Sequence, residues 1–294
     1  MNRRLRLTPL VVVRETLYYA VLVFVALVMA LPFYWMLATS FKPDADIFTD
    51  PIRWIPQRWT LDHYIKAFTL VPFGRYFLNS TVMAFLGVVA NLLLGSLAGY
   101  AFARLRFRGR EGLFRMKLAS LLVPGVVTLI PTFIILRSFP FAGGNDLLGH
   151  GGQGLLNTYW AIVLPGAAGA FAVFFMRQFF RTLPEDLIDA ARVDGASELR
   201  IFWSIYLPLC GPALATLGIF TFQAGWNVFL WALIVFNDPN MSTVQMGLQA
   251  FSFNHNTDYG PLMAASVVVS LPVLIVFLFA QRYFTQSISF SGVK

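Results

Sequence analysis

The sequence is poor in charge, cysteine and histidine. Charged residues make up only 12% of the 294 residues, whereas 57% are hydrophobic. Soluble domains carry about a quarter charged residues, so this composition favours a bilayer as the solvent. The single cysteine, Cys210, excludes an internal disulfide framework and is interpreted as a small buried apolar residue. His63, His150 and His255 lack partners at metal-ligand spacing and are interpreted as surface residues, so no metal site is expected.

Six long runs of the sequence contain no Asp, Glu, Lys, Arg or His. Each run can hold the roughly 20 apolar residues that a membrane-spanning helix needs. The sequence therefore predicts an all-α integral membrane protein, with a single transmembrane domain over residues 1–294 and spans at about 16–41, 76–103, 118–136, 155–176, 208–236 and 261–280. The first run is too long for the apolar core of a signal peptide, and no convincing cleavage site follows, so it is interpreted as an uncleaved span.

Basic residues are concentrated in alternate loops of this six-span arrangement. Of the 22 Lys and Arg residues, 16 fall on the side that holds both termini, whereas the 14 acidic residues divide evenly between the two sides. An excess of Lys and Arg marks the cytoplasmic side of a membrane protein. Both termini, residues 104–117 and residues 177–207 are therefore predicted to be cytoplasmic. The same asymmetry accounts for the net charge of +8, and no binding to nucleic acid is expected.

Small residues recur along the second predicted span. Gly87, Asn91, Gly95 and Gly99 are spaced four residues apart, which places them on one face of a helix. Small residues on such a face let neighbouring helices approach closely. We therefore predict that this face packs within the helix bundle. The third and fourth spans contain prolines. Prolines inside spans are common along transport pathways, but they also occur in inert bundles.

Residues 177–207 form the only long charged segment between two strongly hydrophobic runs. Pro184 and the acids that follow it are typical of a helix N-terminus, and Gly195 is typical of a C-terminal stop. Ser197 offers an N-cap for a second helix over 198–206, and Pro208 is expected at the bend into the membrane. The pattern predicts a helix–turn–helix with an alanine-lined tip and a charged rim, which is a docking element for another protein. An amphipathic loop on the lipid headgroups is the alternative, disfavoured because the 4 basic and 5 acidic residues attract anionic lipid poorly.

This segment resembles the EAA loop of permease subunits in bacterial ABC importers, which is written roughly EAAxxDGAxxxxxFxxIxLPxxxP. The matching residues are Asp189, Ala190, Ala191, Asp194, Gly195, Ala196, Phe202, Ile205, Leu207, Pro208 and Pro212. The first position departs from the pattern, because Asp with its shorter carboxylate stands in place of Glu. Further segments are similar to the carbohydrate-uptake branch, above all to the shorter permease of maltose-type importers: Asn79-Ser80, Asn157 to Trp160, Trp226-Asn227 and the ending Gly292-Val293-Lys294.

The resemblance implies a subunit of a heteromeric importer in the bacterial cytoplasmic membrane, surrounded by membrane lipid. A second, homologous permease would complete the pathway, and an extracytoplasmic binding protein would deliver a sugar. Two ATPase subunits would hold ATP and Mg, while this chain would bind no cofactor and catalyse no reaction. The residues implied in coupling to the ATPase are Asp189, Ala190, Ala191, Asp194, Gly195, Ala196, Leu207 and Pro208. Residues 291–294 would also reach the ATPase pair, and residues 237–260 would contact the binding protein.

The sequence does not identify the solute or the residues that contact it. Sugars are bound by hydrogen bonds and aromatic stacking, so the candidate pathway residues are Asn91, Gln223, Trp226, Asn227 and Trp231. Interhelical hydrogen bonds and aromatic packing explain the same side chains at least as well. The alternatives are a permease for another polar solute, such as a glycerol phosphate, and an ion-coupled secondary transporter. The latter is disfavoured because the predicted spans lack ionisable residues, which are usually functional inside a membrane.

Overall fold

The computed structural model describes residues 9–252 and 257–291, with side chains over 12–252 and 257–281. The N-terminal arginines before residue 9, His255 and the ending at 292–294 lie outside these residues. Within the described ranges the chain is helical and has no β-strand, only an isolated bridge between Ser252 and Thr257. The α-helices are α1 Pro9–Ser40, α2 Asp62–Leu70, α3 Phe73–Ala90, α4 Ser96–Arg104, α5 Arg110–Ala119, α6 Gly125–Arg137, α7 Trp160–Gly166, α8 Ala170–Thr182, α9 Asp186–Val193, α10 Glu198–Ile201, α11 Leu207–Leu209, α12 Gly211–Trp226, α13 Leu230–Val235, α14 Val244–Gln249 and α15 Tyr259–Ser291.

The chain divides into two compact units, residues 1–71 with 250–269 and residues 72–249 with 270–294. In the first unit, the segment between α1 and α2 is ordered around Lys42, whose side chain is fully buried. The Lys42 ammonium donates to the carbonyl of Arg53 at 2.6 Å and lies 4.0 Å from the ring centroid of Trp35. Burial lowers the pKa of Lys42. His63 was expected at the surface but is buried, with Nε2 2.6 Å from the carbonyl oxygen of Lys42.

Three of the described helices are long and apolar enough to cross a membrane without a break: Val12–Ser40, Phe73–Arg104 and Tyr259–Gln281. They correspond to the first, second and sixth predicted spans. The other candidates are bent helix pairs: Arg110–Leu122 with Gly125–Arg137, bent by 108°, Trp160–Gly166 with Ala170–Thr182, bent by 44°, and Glu198–Leu209 with Gly211–Trp226, bent by 82°. The described residues therefore hold up to six spans if each bent pair crosses the membrane once.

The third, fourth and fifth predicted spans are interrupted helices. The third run, 118–136, is broken before Pro124, where Val123 has extended backbone angles because a following proline disfavours the helical region. The fourth run is helical only from Trp160, is broken between Gly166 and Ala170, and continues from Ala170 to Thr182. The fifth is interrupted at Cys210 and again between α12 and α13.

Glycines let α4 and α8 pack closely in the second unit. A Cβ atom at Gly95 would lie 2.8 Å from Cβ of Ala172, and one at Gly99 would lie 2.8 Å from Cβ of Met176. Real Cβ atoms do not approach so closely, so both positions require glycine as packed. The predicted packing face is confirmed at these two residues. Gly87 differs, because a Cβ there would have no neighbour within 4 Å.

Candidate coupling elbow and internal cavity

Residues 185–209, which we call the elbow, contain two short helices joined by a tight turn. The first helix, α9, ends at Val193, and Gly195 follows with φ of +79°, a left-handed conformation that glycine adopts freely. Ser197 then caps α10, because its hydroxyl accepts a hydrogen bond from the backbone N–H of Arg200 at 3.4 Å. These local signals were predicted correctly. The bend lies at Cys210 rather than at Pro208, which sits inside α11.

The base of the elbow is buried against α4 and α8. Ile188 and Ala191 of α9 pack into a cluster of buried residues that includes Tyr100 and Phe180. The Tyr100 ring centroid lies 5.8 Å from that of Phe180 and 5.5 Å from that of Tyr206. Aromatic contacts at these separations add to the burial of apolar area. The elbow is thus seated on the helix bundle.

Arg104, the last residue of α4, ties the elbow to α8. Its side chain is only 5% exposed, and Nη1 lies 2.7 Å from the Glu185 carboxylate. Nη2 donates to the carbonyl of Phe180 at 2.7 Å and also to that of Leu183. One guanidinium therefore satisfies the C-terminal carbonyls of α8 and holds the residue that precedes α9.

A second polar tie links the two elbow helices to α4. The Tyr100 hydroxyl donates to Glu198 Oε2 at 2.9 Å, and the Arg192 guanidinium lies 2.7 Å from the same carboxylate. The hydrogen bond with Glu198 raises the pKa of Arg192, so this guanidinium stays charged. The Tyr206 hydroxyl donates to the carbonyl of Pro184 at 3.1 Å. Together these bonds fix the position of α9 relative to α10.

The proposed coupling residues divide between an exposed face and a buried one. The exposed ones are Asp189, Ala190, Asp194, Gly195 and Pro208, whereas Ala196 and Leu207 are half-buried. The predicted alanine-lined tip is wrong for Ala191, which is 8% exposed and faces the bundle. Helical spacing explains the split, because Ile188 and Ala191 share the inner face of α9.

Sequence reasoning missed the apolar side chains that project furthest from the elbow. Val193 is 88% exposed and Leu199 is 66% exposed, and Trp203 is also exposed. The phase of α9 contained the signal for Val193, since it lies three residues after the exposed Ala190. The tip of the elbow is therefore apolar at Val193 and Leu199 and is bordered by acids.

Beside the elbow lies a cleft of about 600 Å³, which we call the basic cleft. It is lined by Arg104, Arg106, Arg110, Arg177, Arg181 and Arg192, together with the acids Glu111, Glu185 and Asp189. The Arg177 guanidinium, whose side chain is 7% exposed, lies 2.6 Å from Glu111 and 3.8 Å from the ring centroid of Phe114. The cleft thus carries more positive than negative side chains.

A second cavity, of about 310 Å³, lies among α3, α7, α8, α12 and α13, and we call it the central cavity. Its lining is mostly apolar, and Asn91 and Trp231 are among the lining residues. Asn91 donates to the carbonyls of Gly87 and Gly166 at 3.1 and 2.8 Å and accepts from Gly169 N–H at 3.2 Å. Asn91 also begins a π-helical turn that ends at Gly95, a local widening often found at functional sites.

The other pathway candidates do not line the central cavity. Trp226 is 1% exposed and stacks on Phe222 with ring centroids 5.7 Å apart. Gln223 and Asn227 are exposed, and Asn227 accepts a hydrogen bond from Gln245 at 3.0 Å. Trp231, at the cavity wall, donates its indole N–H to the carbonyl of Ala161 at 2.9 Å. The structure therefore brings Asn91 and Trp231 to one cavity and gives Trp226 a packing role.

Groups of titratable residues offer no obvious metal centre. Within residues 9–252 and 257–291, no three His, Cys, Asp or Glu side chains lie close enough together to hold a metal ion.

Comparison with known proteins identifies the family. The model for the inner membrane component of binding-protein-dependent transport systems matches residues 91–290. The arabinooligosaccharides transport system permease protein AraQ of Halalkalibacterium halodurans is 35% identical over 274 residues, which are 92% of this chain and 93% of that protein. The diacetylchitobiose uptake system permease protein NgcG of Streptomyces coelicolor is 33% identical over 273 residues, which are 92% and 86% of the two chains. A crystal structure of a bacterial ABC transporter involved in import of the acidic polysaccharide alginate contains a chain with the same fold, with a TM-score of 0.79, 23% identity and coverage of 94% of this chain and 98% of that one. The chain therefore belongs to the inner membrane components of binding-protein-dependent transport systems, which are the permease subunits of ABC importers.

Proposed function

We propose that this permease forms half of the translocation pathway for a sugar or an oligosaccharide. Support comes from two relatives that are named for arabinooligosaccharides and diacetylchitobiose and that match nearly the whole chain. A second, homologous permease supplies the other half of the pathway, and an extracytoplasmic binding protein delivers the sugar. The complex lies in the bacterial cytoplasmic membrane, with both termini of this chain in the cytoplasm as the distribution of basic residues predicts.

The elbow is the element that we expect to bind a cytoplasmic ATPase subunit. The observation that carries this proposal is the exposed pair Val193 and Leu199, which project from a base that is itself buried. Exposed apolar side chains with a polar rim are typical of surfaces that another protein covers. Asp189, Ala190, Asp194 and Gly195 belong to the same exposed face. ATP and Mg bind to the ATPase subunits, and this chain catalyses no reaction.

Polar bonds at the base of the elbow connect it to the membrane helices, so they can transmit a displacement of the elbow. When the ATPase pair closes, displacement of α9 and α10 is passed to α4 and α8 through Arg104 and the Tyr100–Glu198 hydrogen bond. Because α4 packs against α8 without room for a Cβ at Gly99, we expect a displacement of one helix to move the other. The central cavity is lined in part by Phe171 and Ala172 of α8, so its shape follows the elbow.

Within the proposed pathway, Asn91 and Trp231 are the residues best placed to meet the solute from this subunit. Both line the central cavity, and the face of the Trp231 ring can stack on a sugar. Gln223 and Asn227 are exposed and would meet solute only where the second permease completes the pathway. Trp226 is withdrawn from the pathway because it is buried in packing.

The coupling proposal is tested by changing the apolar tip in the assembled importer. Val193→Asp places a charge on the docking surface, so uptake of the sugar should fall at least about tenfold while the permease remains in the membrane. Val193→Leu keeps the apolar contact and should retain uptake. Uptake and ATPase activity are measured together in proteoliposomes, and normal coupled uptake by Val193→Asp would refute the proposal.

The solute is identified from the partner binding protein. That protein is purified with its ligand, and the ligand is determined by mass spectrometry and then tested as a transported solute. A sugar or oligosaccharide agrees with the proposal, whereas a glycerol phosphate would replace it with the alternative.

A further inference from the structure

The basic cleft has more positive charge than the polar bonds of the elbow use. Its six arginines face three acids, and four of those arginines already have partners within the chain. In the part of the chain that the structure describes, Arg106 and Arg181 make neither an ion pair nor a side-chain hydrogen bond. The Nε atom of Arg104, which is buried, also lacks a hydrogen-bond partner. The cleft therefore has unused donors for an anion.

The cleft lies at the end of the longest described span of the second unit. The helix Phe73–Arg104 has 32 residues, and its length of about 48 Å exceeds the roughly 30 Å hydrocarbon core of a bilayer. Arg104 at its end consequently reaches the level of the headgroups. Guanidinium groups bind phosphate oxygens through paired N–H donors, which makes arginine well suited to a phosphate ligand at this depth.

Exposed apolar side chains lie on α5, the helix whose first residues line the basic cleft. Arg110 and Glu111, at the start of this helix, line the cleft, whereas Leu113 and Met116 are exposed one turn further along. Residues three apart share a helix face, so the two apolar side chains form a short strip. A ligand with an anionic head and an apolar tail matches a basic cleft and an exposed apolar strip on the same helix.

We propose that the basic cleft binds the phosphate headgroup of an anionic phospholipid, with an acyl chain lying along Leu113 and Met116. The volume of about 600 Å³ admits a lipid headgroup. Basic pockets between helices at the membrane surface are a recognised means of holding anionic lipid. The acids of the cleft do not oppose this binding, because each is paired with an arginine: Glu185 with Arg104, Glu111 with Arg177, and Asp189 with Arg192 at 3.6 Å.

A bound headgroup would connect the elements that the coupling motion uses. Arg106 follows α4, Arg181 lies in α8 and Arg192 lies in α9, so the span, its packing partner and the elbow all contribute an arginine to the cleft. The lipid would then hold the elbow against the bundle in addition to the bonds of Arg104. Anionic lipid is thus expected to strengthen coupling.

The test uses the complete importer purified in mild detergent and analysed by native mass spectrometry. It is incubated with phosphatidylglycerol, with phosphatidylcholine of the same acyl chains, or with inorganic phosphate. We expect retained phosphatidylglycerol on the unaltered complex, and at least about tenfold less on Arg106→Gln/Arg181→Gln, because two charges that attract an anionic headgroup are removed. The matched control is Arg108→Gln/Arg115→Gln, which removes the same charge from exposed arginines outside the cleft and should keep the lipid.

Each alternative result overturns the proposal in a recognisable way. Equal retention of both lipids, or equal loss in the two double variants, means that the arginines attract lipid only through general charge. Retention of inorganic phosphate with no preference for phosphatidylglycerol assigns the cleft to a free anion. Unchanged lipid together with loss of the ATPase subunits from Arg106→Gln/Arg181→Gln assigns the cleft to a protein contact. The uptake assay of Val193→Asp tests coupling separately, so failure of one proposal leaves the other standing.

Discussion

The elbow and the central cavity are stabilised in different ways, although both contact α8. At the elbow, charged and hydroxyl side chains bind specific carbonyls and carboxylates, and the apolar tip points away from the bundle. Around the central cavity, close helix packing leaves an apolar space, and the amide of Asn91 is satisfied by backbone groups. Each region also contains a π-helical turn, Phe202–Tyr206 at the elbow and Asn91–Gly95 at the cavity.

The hydrogen-bonded base suits the elbow to transmitting a displacement, whereas the shape of the central cavity can change. A network of hydrogen bonds to a buried guanidinium fixes the elbow to the helices beneath it. An apolar cavity has few directional bonds, so small shifts of its helices alter its volume. We infer that the permease holds its docking element rigidly and lets the cavity respond.

The largest effect is expected from removing the charge at the base of the elbow. Arg104→Met keeps an apolar stem but leaves the carbonyls of Phe180 and Leu183 and the carboxylate of Glu185 without their donor. Hydrogen bonds to charged groups contribute about 1.5–3 kcal/mol each. The bond to the exposed Glu185 is screened by solvent, so loss of the two carbonyl bonds should weaken attachment of the elbow by at least about 3 kcal/mol. Limited proteolysis should then cleave within residues 183–186 much faster. Arg108→Met, at an exposed arginine outside the basic cleft, is the control, and equal cleavage of the two variants would contradict the role of Arg104.

A smaller effect is expected from adding one methyl group where α4 meets α8. The Cβ of Gly99→Ala would lie 2.8 Å from Cβ of Met176 and 3.0 Å from the backbone nitrogen of Arg177. Overpacking of this kind costs about 1–3 kcal/mol and should lower the thermal denaturation midpoint of the purified importer. Gly87→Ala, which meets no atom within 4 Å at the edge of the central cavity, should leave the midpoint unchanged. If both variants denature alike, the two regions do not differ in packing as described.

The two regions also differ in how far the sequence predicts them. The elbow was predicted because its signals are local: Gly195 stops one helix and Ser197 caps the next. The lining of the central cavity was not predicted, because it depends on how helices that are distant in sequence are rotated against one another. Trp226 and Trp231 are only five residues apart, yet the break between α12 and α13 buries one and places the other at the cavity.

The predicted spans show the same limit of prediction from sequence. Uncharged runs predicted where apolar helices lie, since composition alone decides that a segment belongs in a bilayer. They did not predict the bends of 108°, 44° and 82°, because a proline or glycine marks a possible break without fixing its angle. Ala191 was misplaced for a related reason: the motif identifies the residue, whereas the helix phase decides that it faces the bundle.

The most direct test of the account is whether the tip of the elbow touches an ATPase subunit in the cytoplasm. Val193→Cys introduces a reactive thiol at an exposed position, while the native Cys210 is fully buried. In the assembled importer, a short thiol–amine cross-linker should join Val193→Cys to the ATPase subunit, and a membrane-impermeant thiol reagent should label it only in inside-out vesicles. Leu148→Cys, also exposed and in a loop predicted to lie outside, should be labelled in intact cells and should not cross-link to the ATPase. Labelling of Val193→Cys in intact cells, or the absence of any cross-link to the ATPase, would contradict the account.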